Sequence, residues 1–463
     1  MFKITHMIRK IILSFIFSFL VFIYSFAQAW YPVGAPIRSD YGILAEAVYN
    51  GELYAGGWFY SFGSVQTNNM ARWNGTAWDS VGGGLTGGQN YVGALCVFNG
   101  KLYAAGAFFA AEGLPANNIA VWDGSHWDTV STQGLENCGN GTGWADAMAV
   151  YNGKLYVAGA FCHAGGIPAL NIACWNGTKW DSVSSGINDS VNTLAVYNGK
   201  LYAGGQFTRA GKTAVSNIAC WDGTSWTAVG SGTNNPVFAL QAYSGNLYVG
   251  GEFTVAGGVS ASYIADWNGT TWSAVGAGIS GGVGVDAFYV FNGMLYTGGT
   301  FSKSGSLKVN NIATWNGTVW DTVSAEGINN TVDAFAVLDS ALYAGGIFTV
   351  AGKANAVDIA VWGGTSLGVK EIQNSVGDVS LYPNPNKGLF TVICHSSPPV
   401  GGEESLPIIE IYTMLGEKVL TETLHAVQGY NLINFANNPA GIYLYRVTNV
   451  AGVIVGQGKL VVE

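Results

Sequence analysis

The chain has 463 residues, among them 67 Gly, 16 Trp and 23 Tyr, yet only 10% are charged and the net charge is −9. So much apolar and aromatic residue excludes a disordered chain, and so much glycine suits short strands joined by tight turns. An acidic balance with no basic cluster excludes a nucleic-acid partner, because nothing is placed to neutralise phosphates.

Residues 1–29 predict a secretory signal peptide. Lys3, Arg9 and Lys10 form a basic start, Ile11 to Phe26 an apolar run, and Ala27-Gln28-Ala29 an A-x-A cleavage site. Without that segment, 16 basic residues face 28 acidic ones, a net charge of −12. No later stretch approaches the length of a membrane-spanning helix, so the mature chain is expected to have no transmembrane segment.

A repeat then takes over. A Leu-Tyr pair recurs at Tyr54, Tyr103, Tyr156, Tyr202, Tyr248, Tyr296 and Tyr343, at spacings of 46 to 53 residues, the range of propeller blades. Each unit offers four strand-like runs, which in the fourth unit read VNTLAVY, LYAGGQF, NIACW and SWTAVG. Asn-Gly and Asp-Gly punctuate them, the residues a two-residue type I′ hairpin turn requires. The third run carries Trp73, Trp122, Trp175, Trp221, Trp267, Trp315 and Trp362; the fourth carries only Trp78, Trp127, Trp180, Trp226, Trp272 and Trp320. The missing copy stands at the other end, as Trp30-Tyr31-Pro32-Val33-Gly34. The expected fold is therefore all-β: a seven-bladed β-propeller over 30–364, with the N-terminal strand closing the last blade and removing an exposed edge.

Spacing separates scaffold from variable surface. From the second Gly of the pair to the third-strand Trp the distance is always 16, and from that Trp to the next it is always 5. All variation falls between the fourth strand and the next Leu-Tyr, 22 to 29 residues. That connection and the loop between second and third strands should share one face, the one open to diversification. The Gly pair with a Trp 16 residues on resembles the kelch-type repeat and the central propeller of galactose-oxidase-like proteins. It is similar also to secreted fungal propellers known as cortical polarity markers. It departs from kelch in having Ile218-Ala219 where a Tyr usually precedes the Trp.

After Trp362 the rhythm stops. Residues 365–377 read as a polar linker, and 378–463 as a small Ig-like β-sandwich of alternating strands. Tyr382-Pro383-Asn384-Pro385, Gly388, Gly416-Glu417-Lys418, Pro439-Ala440-Gly441-Ile442-Tyr443 and the terminal Lys459-Leu460-Val461-Val462 resemble the C-terminal sorting domain of the type IX secretion system of Bacteroidetes. The resemblance implies Sec export to the periplasm, then passage through the outer membrane by the type IX machinery. Attachment to the cell surface, or release, would follow.

Few residues suit chemistry. A phosphate-binding glycine loop must open a helix, whereas Gly204-Gly205 ends a strand and recurs as scaffold packing. A sialidase needs three arginines around a carboxylate, and the propeller holds only Arg38, Arg72 and Arg209. The Asn-Gly-Thr sequons at Asn74, Asn140, Asn176, Asn268 and Asn316 alternate with Asp123 and Asp222, which favours a turn over glycosylation. His126 and His163 should lie on opposite faces, so neither a copper site nor a Ser-His-Asp triad assembles, and no cofactor or metal is expected. Among six cysteines, Cys138 and Cys162 fall in neighbouring loops of one blade on the variable face and are the expected disulfide. Cys174 and Cys220 share a strand column and should be buried thiols.

Two residue sets remain as ligand candidates. Trp58 and Trp144 alone stand outside the Trp columns, toward the variable face, where they could stack on sugar rings or simply pack their own loops. Three positions before each Val-Tyr the units carry Leu44, Gly93, Asp146, Asn192, Phe238, Asp286 and Asp333, a column expected to ring the channel mouth. Its polar members could bind a cation or sugar hydroxyls, or satisfy turn amides and channel water. Two function classes follow: a monomeric exported binding module for an extracellular glycan or protein, or a polysaccharide hydrolase or lyase using the mouth carboxylates. The shortage of His and Arg favours binding.

Overall fold

The computed structural model describes residues 29–131, 133–137 and 143–363, and then 379–382, 389–394, 408–413, 418–423, 430–435, 438–439, 441–448 and 454–462. Residues 1–28 of the expected signal peptide, the linker, Cys138 and Asn140, and the motif residues Pro383, Asn384, Pro385, Gly388 and Gly416 lie outside them, while Ala29, placed at the end of the signal, begins the first strand. Two compact units divide between Gly364 and Thr365. The described residues form strands and turns without a helix.

In the N-terminal unit the strands make seven antiparallel sheets of four strands or more. The fourth is typical, with Val191–Tyr197 innermost, then Lys200–Gly205, Ile218–Trp221 and Trp226–Ala228. The hairpin between its first two strands turns at Asn198 (φ 47°) and Gly199 (φ 69°), the two left-handed residues of a type I′ turn. Each innermost strand lies beside that of the next sheet, and Val332–Leu338 of the last lies beside Ile37–Tyr49 of the first, so the sheets stand in a closed ring. The last sheet takes its outermost strand from the start of the chain. Ala29–Pro32 pairs antiparallel with Ile359–Gly363, Trp30 opposite Trp362 and Tyr31 opposite Val361, in the sheet that holds Tyr343.

The core lies between sheets, which is what the repeated aromatics achieve. Trp315 Nε1 donates to the hydroxyl of Tyr248 in the preceding sheet at 3.0 Å. The same juxtaposition runs round the ring, from Tyr54 with Trp122 to Tyr343 with Trp73 across the closure. Fourth-strand tryptophans reach backward too: Trp127 Nε1 donates to Val81 O (2.8 Å) and Trp272 Nε1 to Val229 O (3.0 Å). Inner-strand tyrosines reach forward, as Tyr197 does to Gly245 O (2.8 Å). A Cβ at Gly204 would stand 2.4 Å from Val237 of the neighbouring sheet, so that glycine is contact surface.

The Asp-Gly turns bind their own backbone. Asp222 Oδ1 accepts from the amides of Ser225 and Thr224 (2.8 Å each), which hold its carboxyl well below the usual range. Asn74, Asn176, Asn268 and Asn316 accept from the equivalent amides.

Opposite these turns, each connection between second and third strands folds into a two-residue-strand hairpin, such as Arg209–Ala210 with Thr213–Ala214. Ala210 bridges to Ile187 in the connection entering the same sheet, placing both segments on one face. In most sheets an asparagine before the third strand seals the junction: Asn171 accepts from Phe161 N (3.1 Å) and donates to Ile187 O (2.8 Å), whereas the fifth sheet has Tyr263 there. In the closing sheet that position is Asp358, whose carboxylate accepts from Phe348 N (3.1 Å) and from the Ser39 hydroxyl. A side chain of the N-terminal segment there replaces the backbone carbonyl used elsewhere, and the residue changes from donor to acceptor accordingly.

The C-terminal unit consists of two antiparallel sheets. One orders Val379–Tyr382, Leu389–Cys394 and Tyr430–Asn434; the other Lys418–Thr423, Ile408–Thr413, Gly441–Thr448 and Ile454–Val462. Val392 and Ile433 of the first pack against Ile409, Ile411, Val447 and Leu460 of the second. The Pro-Ala-Gly-Ile-Tyr motif has a structural cause: Tyr443 is buried and its hydroxyl donates to Pro439 O at 2.7 Å. Lys459 lies in the last strand, opposite Leu444.

Candidate ligand site

Each innermost strand carries a bulge, always at the same column. Val191 lies opposite Gly205 and Thr193 opposite Gly204, which leaves Asn192 without a ladder partner. The same register shift falls at Leu44, Gly93, Asp146, Phe238, Asp286 and Asp333. A bulge bends the strand and re-aims the unpaired side chain. Its cause is the second glycine of the repeat. A Cβ at Gly205 would meet Ser190 O at 2.1 Å, and one at Gly159 would meet Trp144 O at 2.3 Å, so only glycine admits the bulged backbone.

The bulge residues surround a cavity of about 620 Å³ on the axis of the ring. Leu44, Gly93, Asp146, Asn192, Phe238, Asp286 and Asp333 all line it, with Glu46, Tyr91, Phe288 and Phe335 among their neighbours; among the described residues no Lys, Arg or His does. Asp146 leans over Gly93 to the adjacent sheet, where it accepts from the Tyr91 hydroxyl at 3.0 Å. Asn192 leans the other way and donates to Val237 O at 3.1 Å.

Burial dominates the acids. It pushes Asp146 up to about 6 against the pull of the Tyr91 hydrogen bond, and Asp286 to about 6 with help from the Glu252 charge. Asp333 rises to about 8 through burial, then through the charges of Asp286 and Asp358, and its Oδ2 is buried without a partner. Glu46 lies two residues deeper, in a column otherwise filled by Leu95, Met148, Leu194, Leu240, Phe288 and Phe335. Both its carboxylate oxygens are buried without a well-formed hydrogen bond, and burial lifts it to about 8 although the nearby Ala336 backbone pulls the other way.

These shifts have a sign. A carboxyl with a raised folded-state pKa holds its proton more tightly folded than unfolded. Stability from Glu46 is therefore greatest below the ordinary carboxylate range and declines as pH rises from about 4.5 to about 8. Glu46→Gln should remove that decline, raising stability at pH 9 by about 1–3 kcal/mol and leaving it nearly unchanged at pH 4. Thermal unfolding of both proteins at the two pH values checks this; an equal effect at both would deny Glu46 its buried charge.

The first sheet adds a rim. Its inner hairpin, Ile37–Tyr49 with Glu52–Phe62, has strands of 13 and 11 residues, against 6 to 8 in the other sheets. Trp58 therefore sits inside a strand. Its ring lies 4.8 Å from Tyr41, which is 53% exposed, and stacks on Tyr91 at 6.3 Å and 19°. Tyr41, Trp58, Tyr91 and Asp146 thus run from the surface to the cavity mouth. Trp144 opens the strand Trp144–Tyr151 in the column of Tyr91, one sheet on; among the described residues no ring contact joins it to Trp58.

The remaining candidates fall elsewhere. Arg72 pairs with Glu52 (3.4 Å) and Asp79 (3.9 Å), remote from the mouth. His126 lies in an Asp-Gly turn and His163 in a small hairpin of the other face. Among the described residues no three His, Cys, Asp or Glu side chains stand close enough to hold a metal ion. Cys162 is disulfide-bonded, while Cys96, Cys174 and Cys220 are free thiols, the last two buried. Sequence reasoning missed Glu46, Tyr91 and Tyr41. Glu46 had a signal, as the one charged residue in an apolar column, and so did Tyr91, an aromatic directly before a bulge.

A ring of four-stranded sheets around an axial cavity defines a β-propeller, and comparison with known proteins agrees. Residues 50–75 match a beta-propeller domain of unknown function. Residues 380–463 match the secretion system C-terminal sorting domain, so this is a propeller protein with a type IX sorting tail, exported to the cell surface or beyond. No curated protein matches the chain. Among solved structures it is similar to the extracellular domain of the B. thetaiotaomicron system BT4673, at 12% identity and a TM-score of 0.46 over 94% of this chain and 58% of that one. It is similar also to an alpha-L-arabinofuranosidase of Clostridium thermocellum, at 17% identity and a TM-score of 0.24 over 49% and 88%. The chain thus spans little more than half of the first of these.

Proposed function

We propose that the protein is a monomeric, seven-bladed, kelch-like propeller that binds an extracellular glycan or protein through the face bearing the variable loops. A signal peptide at 1–29 takes it to the periplasm, and an Ig-like sorting domain at 378–463 hands it to the type IX machinery for surface display or release. A disulfide between Cys138 and Cys162 would brace the longest loop of that face. The observation that carries the binding reading is the aromatic path Tyr41–Trp58–Tyr91 ending on Asp146 at the cavity mouth. Exposed aromatic faces supply stacking area to sugar rings or apolar side chains, and a cavity of about 620 Å³ falls in the size range of ligand pockets. Asn192, Asp286 and Asp333 would supply the polar contacts, with Trp144 on the adjacent sheet.

Screening the mature protein against a glycan array tests this, beside a Trp58→Ala/Trp144→Ala variant. Bound glycans should lose about tenfold or more in affinity, as loss of one good stacking contact implies. Unchanged binding by the variant would move the site elsewhere. Turnover of a polysaccharide that disappears in Asp286→Asn or Asp333→Asn would instead favour a hydrolase or lyase.

A further inference from the structure

The cavity mouth has an electrostatic imbalance. Glu46, Asp146, Asp286 and Asp333 line it, and among the described residues no basic side chain does. Asp146 is partnered by Tyr91, but Oδ2 of Asp333 is buried without a hydrogen bond, and both oxygens of Glu46 are buried with only the Ala336 backbone beside them. A buried carboxylate without a donor is costly, so the site lacks a cation or a set of N–H groups. The acids are spread around the ring and do not converge in threes, which disfavours a compact metal ion. A group that carries several N–H donors on an extended stem could reach them in turn. Phe335 stands next to Glu46 in its column, with Phe288 one sheet beyond, and aromatic faces attract organic cations.

We propose that the channel mouth binds an extended ligand carrying more than one primary ammonium group, one seated at Asp286 and Asp333 and another at Glu46, while the ligand's stem lies along Tyr41 and Trp58. This rests on the reading of the cavity as the ligand site and adds the chemistry of what enters it. Each ammonium provides three donors, so one can serve Asp333 and Asp286, whose charges act on each other, and a second can serve Glu46. The stacked rim restricts the stem to something flat or ring-like, such as an amino sugar, in preference to a bare aliphatic amine.

Calorimetric titration of the mature full-length protein with three probes tests this: a glucosamine hexasaccharide, its fully N-acetylated counterpart, and 1,5-diaminopentane. The free-amine hexasaccharide should bind at least tenfold more tightly than the acetylated one. The Glu46→Gln/Asp333→Asn variant should erase that preference, and Asp286→Asn alone should weaken it, which covers the case of a double variant that does not fold. Diaminopentane binding as tightly as the hexasaccharide would still support the ammonium and would assign it to a free polyamine. Equal binding of both hexasaccharides, each weakened by Trp58→Ala, would overturn the ammonium and leave the cavity reading intact. If no probe binds and Trp58→Ala alters no array ligand, both fall.

Discussion

Replacing Trp30 by Ala should destabilise the propeller by about 3–5 kcal/mol, the cost of deleting a large buried aromatic. That is a large share of the 5–15 kcal/mol that holds an ordinary domain together. Trp30 is 3% exposed, lies 5.2 Å from Trp362, and packs with Phe348, Ala351 and Ala356 of the last sheet. Unlike most truncations this one acts on a closure. Ala29–Pro32 is the only segment that joins the end of the described ring to its beginning by a strand ladder, and without it the edge of Ile359–Gly363 is exposed. The indole Nε1 has no hydrogen-bond partner, so the loss is one of packing. Trp30→Phe should accordingly recover most of it. Thermal or urea unfolding of the two variants beside Trp226→Ala, a buried tryptophan within a continuous blade, provides the comparison. A Trp30→Ala protein as stable as wild type would mean that the ring holds without its N-terminal strand.

Gly159→Ala should damage both scaffold and site. The added methyl would meet Trp144 O at 2.3 Å and the Ala145 Cα at 2.6 Å, backbone atoms that cannot swing aside. A cost of about 2–3 kcal/mol follows if the strand must shift. The shift would fall on the bulge that carries Asp146, and so on its 3.0 Å hydrogen bond from Tyr91. Loss of ligand binding beyond the loss of stability, measured well below the unfolding midpoint, is the expected signature. Gly153→Ala is the control: it sits in the Asn-Gly turn of the same hairpin with open space around its Cβ and should cost only the strain of its left-handed φ of 70°. A Gly159→Ala protein that binds normally would uncouple the bulge from the site.

The parts of the fold legible in the sequence were those that repeat. Seven copies at fixed internal spacing identify a column whatever its residues do, which is how Trp30 could be matched to Trp226. The bulge was invisible because it changes pairing without changing composition; the column of Asp146 and Asp333 emerged from alignment alone, and its geometric cause only from the register. The long hairpin Ile37–Tyr49 with Glu52–Phe62 was not foreseen, since Tyr41 and its neighbours have no counterpart in later units. Glu46 was passed over for the opposite reason, as one exception in a column of apolar residues that periodicity assigns to packing. At the C terminus the motifs were read by likeness, and of these Tyr443 now has a physical reason in its bond to Pro439.

Because each bulge residue stands outside the hydrogen-bond ladder, its identity is not constrained by strand pairing. The seven positions already hold leucine, glycine, aspartate, asparagine and phenylalanine on nearly identical backbones. Around the axis they behave like the pins of a combination lock on a common frame, although Gly93 and Asp146 are set together, since a Cβ at Gly93 would stand 2.4 Å from Asp146 Oδ1. A lineage carrying this frame could change what it recognises by single substitutions at the mouth, with the glycine opposite each pin as the one setting that must stay fixed.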